Sequence, residues 1–363
     1  MEASEFGISQ NRGFRVQFRT SKEPRTEMDY RRLGSTGLRV SSMCLGTMGF
    51  GDPAWREWVV GADKAKPVLK RALELGVTFF DMADFYSLGQ GERIVGEALL
   101  GLTARERLVL ASKVYYPMSD DPNDRGLSRK HIFASIDASL QRIGTDYLDI
   151  YFIHAFDPDT PIEETMSALA DVVRAGKVRY LGASTMYAWQ FALMNSAARE
   201  AGLPEFSVMQ CQYSLLYREE EREMIPYCRH TGKAVMTFSP LARGMLSGAS
   251  DLRSRTDSFI SDFFGDDVDQ AVIRRVQELA RARNAPMSMI ASAWVAQSPN
   301  VDVWITGAQQ TTQLEQALAA HAFALSDEER SYLEELYRPR DMINDHNPIS
   351  RPRAAFADTE TAR

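Results

Sequence analysis

Residues 77–87 read VTFFDMADFYS, an apolar run that ends in Asp81 and passes into a loop carrying Tyr86. Two further stretches share this plan, LVLASK at 108–113 and LDIYFIH at 148–154. Short runs that are continuously apolar, rather than alternating, are typical of parallel strands buried on both faces. The stretch at 77–87 therefore predicts a buried parallel strand whose carboxyl end carries polar groups.

Eight short β-rich runs, most of them continuously apolar, alternate with amphipathic helical runs along the chain. This alternation predicts a parallel (β/α)8 or TIM barrel. An open Rossmann sheet would favour a GxGxxG motif after its first strand, and GQGERIVG at 89–96 has the wrong spacing for one. The predicted strands are 40–46, 77–81, 108–112, 148–154, 178–184, 206–213, 234–239 and 301–307. The predicted helices are 63–75, 128–142, 162–175, 187–201, 219–231, 267–283, 287–297, 312–321 and 326–337, with Ser128 and Ser326 as N-caps.

The connections suggest which end of the barrel is functional. YRRLGSTGLRVS at 30–41 predicts a β-hairpin that closes the bottom of the barrel. The longest irregular connections, 49–61, 114–127 and 240–266, follow the first, third and seventh predicted strands. In a barrel they project from the carboxyl face, where catalytic loops lie.

The single barrel domain is expected over residues 28–340, followed by a Pro- and charge-rich tail at 341–363. Residues 1–27 have no clear period, and Met28 begins a stretch that resembles a natural start. Three interpretations of 1–27 stay open: a disordered extension, a mis-assigned start or a remnant of cloning.

The composition narrows the class of partner. The chain has 363 residues, 44% of them hydrophobic and 25% charged, with a net charge of -7 and no basic block, so nucleic acid is not an expected partner. Its apolar runs fall short of the roughly 20 residues that span a bilayer, and no signal peptide is evident. Three cysteines without metal-ligand spacing indicate neither a disulfide framework nor a metal site, and favour a reducing cytoplasm. The oligomeric state is left open.

Four reactive side chains lie at or just after strand ends: Asp81, Tyr86, Lys113 and His154. A buried salt-bridge network is the purely structural interpretation. Carbonyl reduction is the chemical one, since an ammonium near a tyrosine favours its phenolate and lowers the pKa of that tyrosine. In this interpretation Asp81 keeps Lys113 charged, and a cofactor supplies the hydride, because no side chain can.

Several motifs resemble those of the aldo-keto reductase family. GVTFFDMADFYSLGQGERIVGEAL, ASK and DIYFIH are similar to the segments around its catalytic residues, and VRYLGAST, QCQYSLLYR and FSPLARGMLSG to its cofactor-binding segments. The motifs occur in family order from about Tyr30 to about Leu336. In style they are closest to bacterial and fungal aryl-alcohol dehydrogenase-like members and to potassium-channel β-subunit-like reductases. The resemblance implies a TIM-barrel oxidoreductase with a small-molecule carbonyl or alcohol substrate.

The resemblance also assigns residues to roles. Tyr86 is the expected general acid/base, with Asp81, Lys113 and His154 completing a catalytic tetrad. The expected cofactor-binding residues are Gly46, Thr47, Met48, Asp81, Ser184, Thr185, Gln210, Phe238, Ser239, Pro240, Leu241, Arg243, Gly244, Gly307, Gln309, Gln313 and Gln316, with Arg253 and Arg255 as further candidates. A set of aromatic residues in the predicted rim loops suggests a substrate pocket for an aromatic or bulky carbonyl. The set is Trp55, Trp58, Tyr115, Tyr116, Phe156, Tyr187 and Trp189. The pocket candidates are Phe50, Trp55, Tyr115, Phe156 and Tyr187.

Two departures from the family pattern concern the cofactor. Thr185 stands where Asn is usual, and Gln309 stands where a cationic partner for a 2′-phosphate is expected. Arg253 or Arg255 would supply the missing charge, so NADPH is favoured over NADH. Two functional alternatives stay open: a cofactor-binding regulatory or docking subunit like the channel β subunits, and an enzyme of natural-product or xenobiotic metabolism.

Overall fold

The predicted strands form one closed parallel barrel in the computed structural model, which describes residues 28–248, 256 and 264–342. The strand order is β10-β3-β4-β5-β6-β7-β8-β9, so each strand pairs with its neighbours in sequence and β10 closes the ring on β3. The barrel strands are β3 (Met43–Gly46), β4 (Phe79–Asp81), β5 (Val109–Val114), β6 (Leu148–Ile153), β7 (Val178–Ser184), β8 (Phe206–Gln212), β9 (Ala234–Phe238) and β10 (Val303–Gly307). The (β/α)8 prediction is confirmed.

The N-terminal hairpin plugs the bottom of this barrel, as predicted. It consists of β1 (Tyr30–Arg32) and β2 (Arg39–Ser41), which pair antiparallel, so the predicted strand 40–46 is shared between β2 and β3. Leu33 and Val40 are fully buried in the same cluster as the inward-facing side chains of the barrel strands. Gly34 has a φ of +56°, and a Cβ there would lie 2.6 Å from the Gly232 carbonyl oxygen. A side chain at this turn would therefore separate the hairpin from the barrel.

Ten α-helices occur among the described residues. They are α1 (Ala62–Glu74), α2 (Gln90–Leu100), α3 (Arg129–Ile143), α4 (Ile162–Arg174), α5 (Ala188–Glu200), α6 (Met224–Thr231), α7 (Asp267–Ala282), α8 (Met287–Ala296), α9 (Thr311–Ala322) and α10 (Asp327–Glu334). Ser128 and Ser326 cap α3 and α10 through their side chains, as predicted. A second, larger apolar cluster joins the helices to the outer face of the barrel.

One helix, α2, was not predicted from the sequence. On its buried face, glycines and a charged residue interrupt the apolar side chains; the face consists of Gly91, Glu92, Val95, Gly96, Ala98 and Leu99. A Cβ on Gly96 would lie 2.1 Å from the Ile143 carbonyl oxygen at the end of α3. Gly96 lets the two helices approach backbone to backbone. A glycine at such a contact also interrupts the apolar periodicity by which a helix is normally predicted.

The barrel places the carboxyl ends of all eight strands on one rim, where the connecting loops begin. Within the described residues, no helix has both the length and the apolar character that a membrane crossing requires. The predicted tails, 1–27 and most of 341–363, lie outside the described residues, as do residues 249–255 and 257–263 of the loop after β9.

Candidate active site

A cavity of about 780 Å³ opens at the carboxyl ends of the strands. Its volume lies in the range of small-molecule and cofactor sites. Asp81, Tyr86 and His154 line it, and Lys113 lies fully buried behind Asp81 and Tyr86. The structure thus brings the four predicted catalytic side chains together.

Lys113 is the centre of this group. Its ammonium donates to Asp81 Oδ2 at 2.6 Å, to the Met82 carbonyl oxygen at 2.8 Å and to Tyr86 Oη at 3.2 Å. An ammonium has three protons, so all three are used. Burial alone would lower the pKa of Lys113, but attraction to Asp81 and Tyr86 outweighs it and holds that pKa above its usual value. A permanent positive charge therefore lies against the Tyr86 oxygen.

Asp81 is held from several sides. It is the last residue of β4, and its carbonyl oxygen accepts bonds from the Thr47 amide at 3.0 Å and the Thr47 hydroxyl at 2.9 Å. The Gln210 side-chain amide donates to Asp81 Oδ1 at 3.0 Å. Asp81 is 3% exposed, so the Gln210 amide and the Lys113 ammonium replace water around its carboxylate, while Thr47 holds its backbone.

Tyr86 and His154 face the cavity as an edge-to-face pair. Their ring centroids are 5.7 Å apart with an interplanar angle of 77°. His154 follows β6, and its backbone amide donates to the Val114 carbonyl at 2.9 Å, which fixes its height on the rim. Ser87 and Leu88, directly after Tyr86, have φ values of 54° and 51°. Such strain at non-glycine residues is common beside functional sites.

The predicted cofactor-binding residues that the structure describes all line this same cavity. Ser184 and Thr185 lie side by side, with their hydroxyl oxygens 3.1 Å apart. Ser239 and Arg243, in the loop after β9, have φ values of 56° and 57°. Thr185 has a φ of 49°, a conformation that suits asparagine better than a β-branched residue. Threonine at position 185 therefore carries a backbone strain that asparagine, the usual residue, would largely avoid.

At the predicted 2′-phosphate end, Gln309 lines the cavity and also bonds to neighbouring segments. Its side-chain amide donates to the Trp58 carbonyl oxygen, and its backbone amide donates to Gln313 Oε1 at 2.8 Å. These bonds connect Gln309 to the loop after β3 and to the first turn of α9. The candidates Arg253 and Arg255 lie outside the described residues.

None of the five predicted substrate-pocket residues lines the cavity; they lie behind its surface or beside it. Phe50 is fully buried, and Trp55 meets the cavity-lining Phe85 edge-on at 5.6 Å. Tyr115 meets Tyr116 at 5.3 Å. The remaining two are Phe156, which packs on Trp189 at 6.2 Å, and Tyr187, which precedes α5.

Three other aromatic side chains line the cavity wall instead, Trp58, Phe85 and Tyr116, and Arg56 adds a charge. Trp58 and Tyr116 belong to the wider set of rim aromatics, whereas Phe85 and Arg56 were not selected from the sequence. Gln212 also lines the cavity, is 6% exposed, and its Nε2 has no hydrogen-bond partner among the described residues. Its position two residues after Gln210 on a strand puts both on one face, and this spacing could have identified it.

No cluster of three or more His, Cys, Asp or Glu side chains in the described part of the chain is arranged to hold a metal ion. The three cysteines are buried free thiols.

A buried acidic network supports the loop that carries Tyr86. Asp84 is fully buried and accepts from the Ser135 hydroxyl at 2.8 Å, and its amide donates to the Lys113 carbonyl at 3.2 Å. Burial, with repulsion from Glu92, raises the pKa of Asp84 to about 7. Glu92 itself is paired with Arg142 at 2.6 Å.

Replacing Asp84 is expected to change how stability depends on pH. An unfolded aspartate titrates near 3.9, so between about pH 4 and pH 7 the native protein holds a proton that the unfolded chain has released, and stability falls as pH rises through that window. Asp84→Asn removes this proton, so relative to wild type its free energy of unfolding should rise by on the order of 2 kcal/mol between about pH 5 and pH 8.

Urea denaturation at the two pH values measures this difference. Asp63→Asn, at an exposed position in the first turn of α1, is the matched control and should follow wild type. Identical pH dependence in Asp84→Asn and wild type would contradict a buried, proton-holding carboxyl.

The closed barrel, with a polar cavity at the carboxyl ends of its strands, defines the class as a TIM-barrel enzyme scaffold. The sequence profile of the Aldo/keto reductase family matches residues 42–338, so the chain belongs to that family.

Known proteins support the same assignment. The chain is 42% identical to an aldo-keto reductase of Fusarium vanettenii over 345 residues, which cover 87% of this chain and 93% of the relative. It is 40% identical to the versiconal hemiacetal acetate reductase of Aspergillus parasiticus over 338 residues, 86% of this chain and 98% of the relative. A Schizosaccharomyces pombe relative that carries the name of an aryl-alcohol dehydrogenase is 40% identical over 337 residues, 85% of this chain and 95% of the relative.

Membership in this family makes the protein an oxidoreductase of the carbonyl/alcohol type. Nicotinamide cofactors and small carbonyl or alcohol substrates are general to the family.

Proposed function

We propose that the protein is an NADP(H)-dependent reductase that interconverts an aldehyde or ketone and the corresponding alcohol, with Tyr86 as general acid/base. One observation carries the proposal: the buried Lys113 ammonium donates to Tyr86 Oη at 3.2 Å while Asp81 holds it at 2.6 Å. A purely structural salt bridge would not need a tyrosine oxygen that also faces a cavity.

The geometry gives each side chain a task. Because Lys113 donates to Tyr86 Oη, the phenol's own proton is available for a substrate oxygen in the cavity. As that proton leaves, the ammonium stabilises the phenolate, and Asp81 keeps the ammonium charged. His154, beside Tyr86, orients the carbonyl oxygen. Nicotinamide, when bound, supplies the hydride that the carbonyl carbon accepts.

The cavity wall fits a nicotinamide dinucleotide. The buried Gln212 amide nitrogen has no hydrogen-bond partner among the described residues, and it shares the cavity wall with the hydroxyl pair Ser184 and Thr185. This set of polar groups is suited to a carboxamide. Phe238 lines the same cavity and offers a ring face. The residues that would hold the cofactor are Gly46, Thr47, Met48, Asp81, Ser184, Thr185, Gln210, Gln212, Phe238, Ser239, Pro240, Leu241, Arg243, Gly244, Gly307, Gln309, Gln313 and Gln316.

NADPH is the proposed cofactor and NADH the alternative. Arg243 is a cation on the cavity wall within the loop that follows β9, and Arg253 and Arg255 follow it in the sequence. A dianionic 2′-phosphate favours guanidinium partners. We further propose that residues 28–340 form the catalytic domain, and that the enzyme acts in the reducing cytoplasm, where its three free cysteines would stay reduced.

The proposed substrate is an aromatic or bulky carbonyl. Trp58, Phe85 and Tyr116 on the cavity wall support this, because aromatic surfaces bind flat, apolar ligands. The names of the relatives, an aryl-alcohol dehydrogenase and a versiconal hemiacetal acetate reductase, favour natural-product or xenobiotic metabolism.

Nicotinamide absorbance tests the proposal directly. The purified protein is mixed with NADPH, or separately NADH, and a panel of aromatic, aliphatic, sugar and polycyclic carbonyls, and the alcohols with the oxidised cofactors. We expect turnover with aromatic or polycyclic carbonyls and a higher kcat/KM for NADPH. Tight cofactor binding without turnover in either direction would contradict the enzyme and support the regulatory-subunit alternative.

A further inference from the structure

The chain passes through three successive left-handed residues directly after Tyr86. Ser87 has φ and ψ angles of 54° and 35°, Leu88 has 51° and 47°, and Gly89 has 86° and −6°. This conformation costs free energy at Ser87 and Leu88, because their Cβ atoms crowd the backbone, whereas glycine adopts it freely. Contacts outside the turn therefore have to hold it in place.

The Ser87 hydroxyl makes such a contact with the loop after β3. It accepts from the Asp52 amide at 2.7 Å and donates to the Asp52 carbonyl oxygen at 3.3 Å. Ser87 is only 3% exposed, so a lost bond would not be replaced by solvent without a rearrangement. The close approach needs a glycine at position 51, because a Cβ there would collide with the Ser87 side chain.

Asp52 belongs to a segment that is itself fixed. The Gly51 amide donates to the Val60 carbonyl oxygen at 3.0 Å, which closes the loop after β3 on itself. The Asp52 side chain accepts from the Ala54 amide at 2.9 Å and holds the turn that begins there. Asp52 is therefore a firm attachment point for Ser87.

The position of Tyr86 is sensitive to a movement of this turn. Tyr86 Oη lies 3.2 Å from Lys113 Nζ, whereas the other two bonds of that ammonium, to Asp81 and to the Met82 carbonyl, measure 2.6 Å and 2.8 Å. A displacement of about 0.5 Å would take Oη out of hydrogen-bonding range. Because Ser87 follows Tyr86 directly, a relaxation of the left-handed turn would move the tyrosine backbone.

We propose that Ser87 is a positioning residue for the reaction: its two bonds to Asp52 hold the left-handed turn and so keep Tyr86 Oη against Lys113. This inference rests on the proposed function, since it assumes that Tyr86 donates the proton. Ser87 is not among the described residues that line the cavity, so it acts through Tyr86.

Two substitutions of Ser87 measure this role. Ser87→Ala removes the hydroxyl, and kcat with NADPH and an aromatic aldehyde should fall by about 10–100-fold, because a small misplacement of a catalytic group is costly. The KM for the aldehyde and the dissociation constant of NADPH should stay close to wild type, because the cavity wall is unchanged. Ser87→Gly also lacks the hydroxyl but adopts the left-handed turn without strain, so it should fold well and still lose kcat.

Thr36 provides a matched control at the opposite end of the barrel. Its hydroxyl accepts from the Leu38 amide at 3.2 Å and donates to the Leu33 carbonyl oxygen at 2.7 Å, the same pattern of two backbone bonds. Thr36→Ala should lower stability in urea and leave kcat as in wild type. Wild-type kcat in both Ser87 variants would overturn the inference, and so would an equal loss of kcat in Thr36→Ala, because lost stability would then explain the effect.

A spectroscopic measurement follows Tyr86 without turnover. When the tyrosines are replaced by 3-fluorotyrosine, the fluorine NMR resonance that is absent from Tyr86→Phe belongs to Tyr86. We expect this resonance to shift or broaden in both Ser87 variants and to stay in place in Thr36→Ala. If the wild type reduces no carbonyl but the resonance moves, the reductase proposal fails and the positioning of Tyr86 by Ser87 stands. If the wild type is active and the resonance stays in place in both Ser87 variants, the inference is wrong.

Discussion

Tyr86→Phe is expected to lower kcat for carbonyl reduction by about 10²–10⁴-fold, the usual contribution of a positioned proton donor. The substitution removes one oxygen from a ring that keeps its place against His154, with centroids 5.7 Å apart. Lys113 loses one acceptor and keeps Asp81 and the Met82 carbonyl, so the buried charge stays paired. Folding and cofactor binding should therefore survive.

Two measurements establish that result. Nicotinamide absorbance gives kcat, and quenching of protein fluorescence by NADPH gives the cofactor dissociation constant. Tyr180→Phe, a change of the same kind on β7 outside the cavity, is the control and should retain both. If Tyr86→Phe kept kcat within a few-fold of wild type, another group would have to donate the proton, and the proposed mechanism would be wrong.

Lys113→Met should damage both activity and stability. Lys113 is fully buried and Asp81 is 3% exposed, so removing the ammonium leaves a carboxylate in the interior without its counter-charge. Breaking a buried pair in this way costs about 3–5 kcal/mol. The Gln210 amide, 3.0 Å from Asp81 Oδ1, offsets only part of that cost because it is neutral. The activity of Lys113→Met should fall to about the level of Tyr86→Phe, because Tyr86 loses its adjacent positive charge.

A second substitution separates the two effects. Asp81→Asn combined with Lys113→Met removes both charges, and the double variant should be more stable in urea than Lys113→Met alone by a kcal/mol or more. Activity should not return, because the charge beside Tyr86 is still missing. A double variant as unstable as the sum of the two single ones would show that Asp81 and Lys113 do not form a coupled pair.

Much of the architecture could be predicted from local patterns. Short β-rich runs, most of them continuously apolar, predicted all eight barrel strands. A strand that is covered on both faces does not alternate between polar and apolar residues. The positions of Asp81, Lys113 and His154 at strand ends then predicted their convergence, since parallel strands end on one rim. The hairpin at 30–41 also followed from local sequence.

The loops and the closest contacts could not be predicted in this way. Trp55 and Tyr115 were selected from the sequence, yet their neighbours Trp58 and Tyr116 line the cavity. Loops have no period of 2 or 3.6 residues that would assign a side chain to a face. The same holds for Gln309, whose direction is determined by a carbonyl more than 200 residues away in sequence.

Local sequence patterns were enough to predict the barrel, the order of its strands and the convergence of four reactive groups, because burial pattern and strand direction are local properties. Three features emerged only from the folded chain: which aromatic side chains face the cavity, the packing of α2 through Gly96 against the end of α3, and the burial of Asp84 beside Glu92. Those features depend on contacts between segments distant in sequence, and a contact exists only once both of its partners are in place.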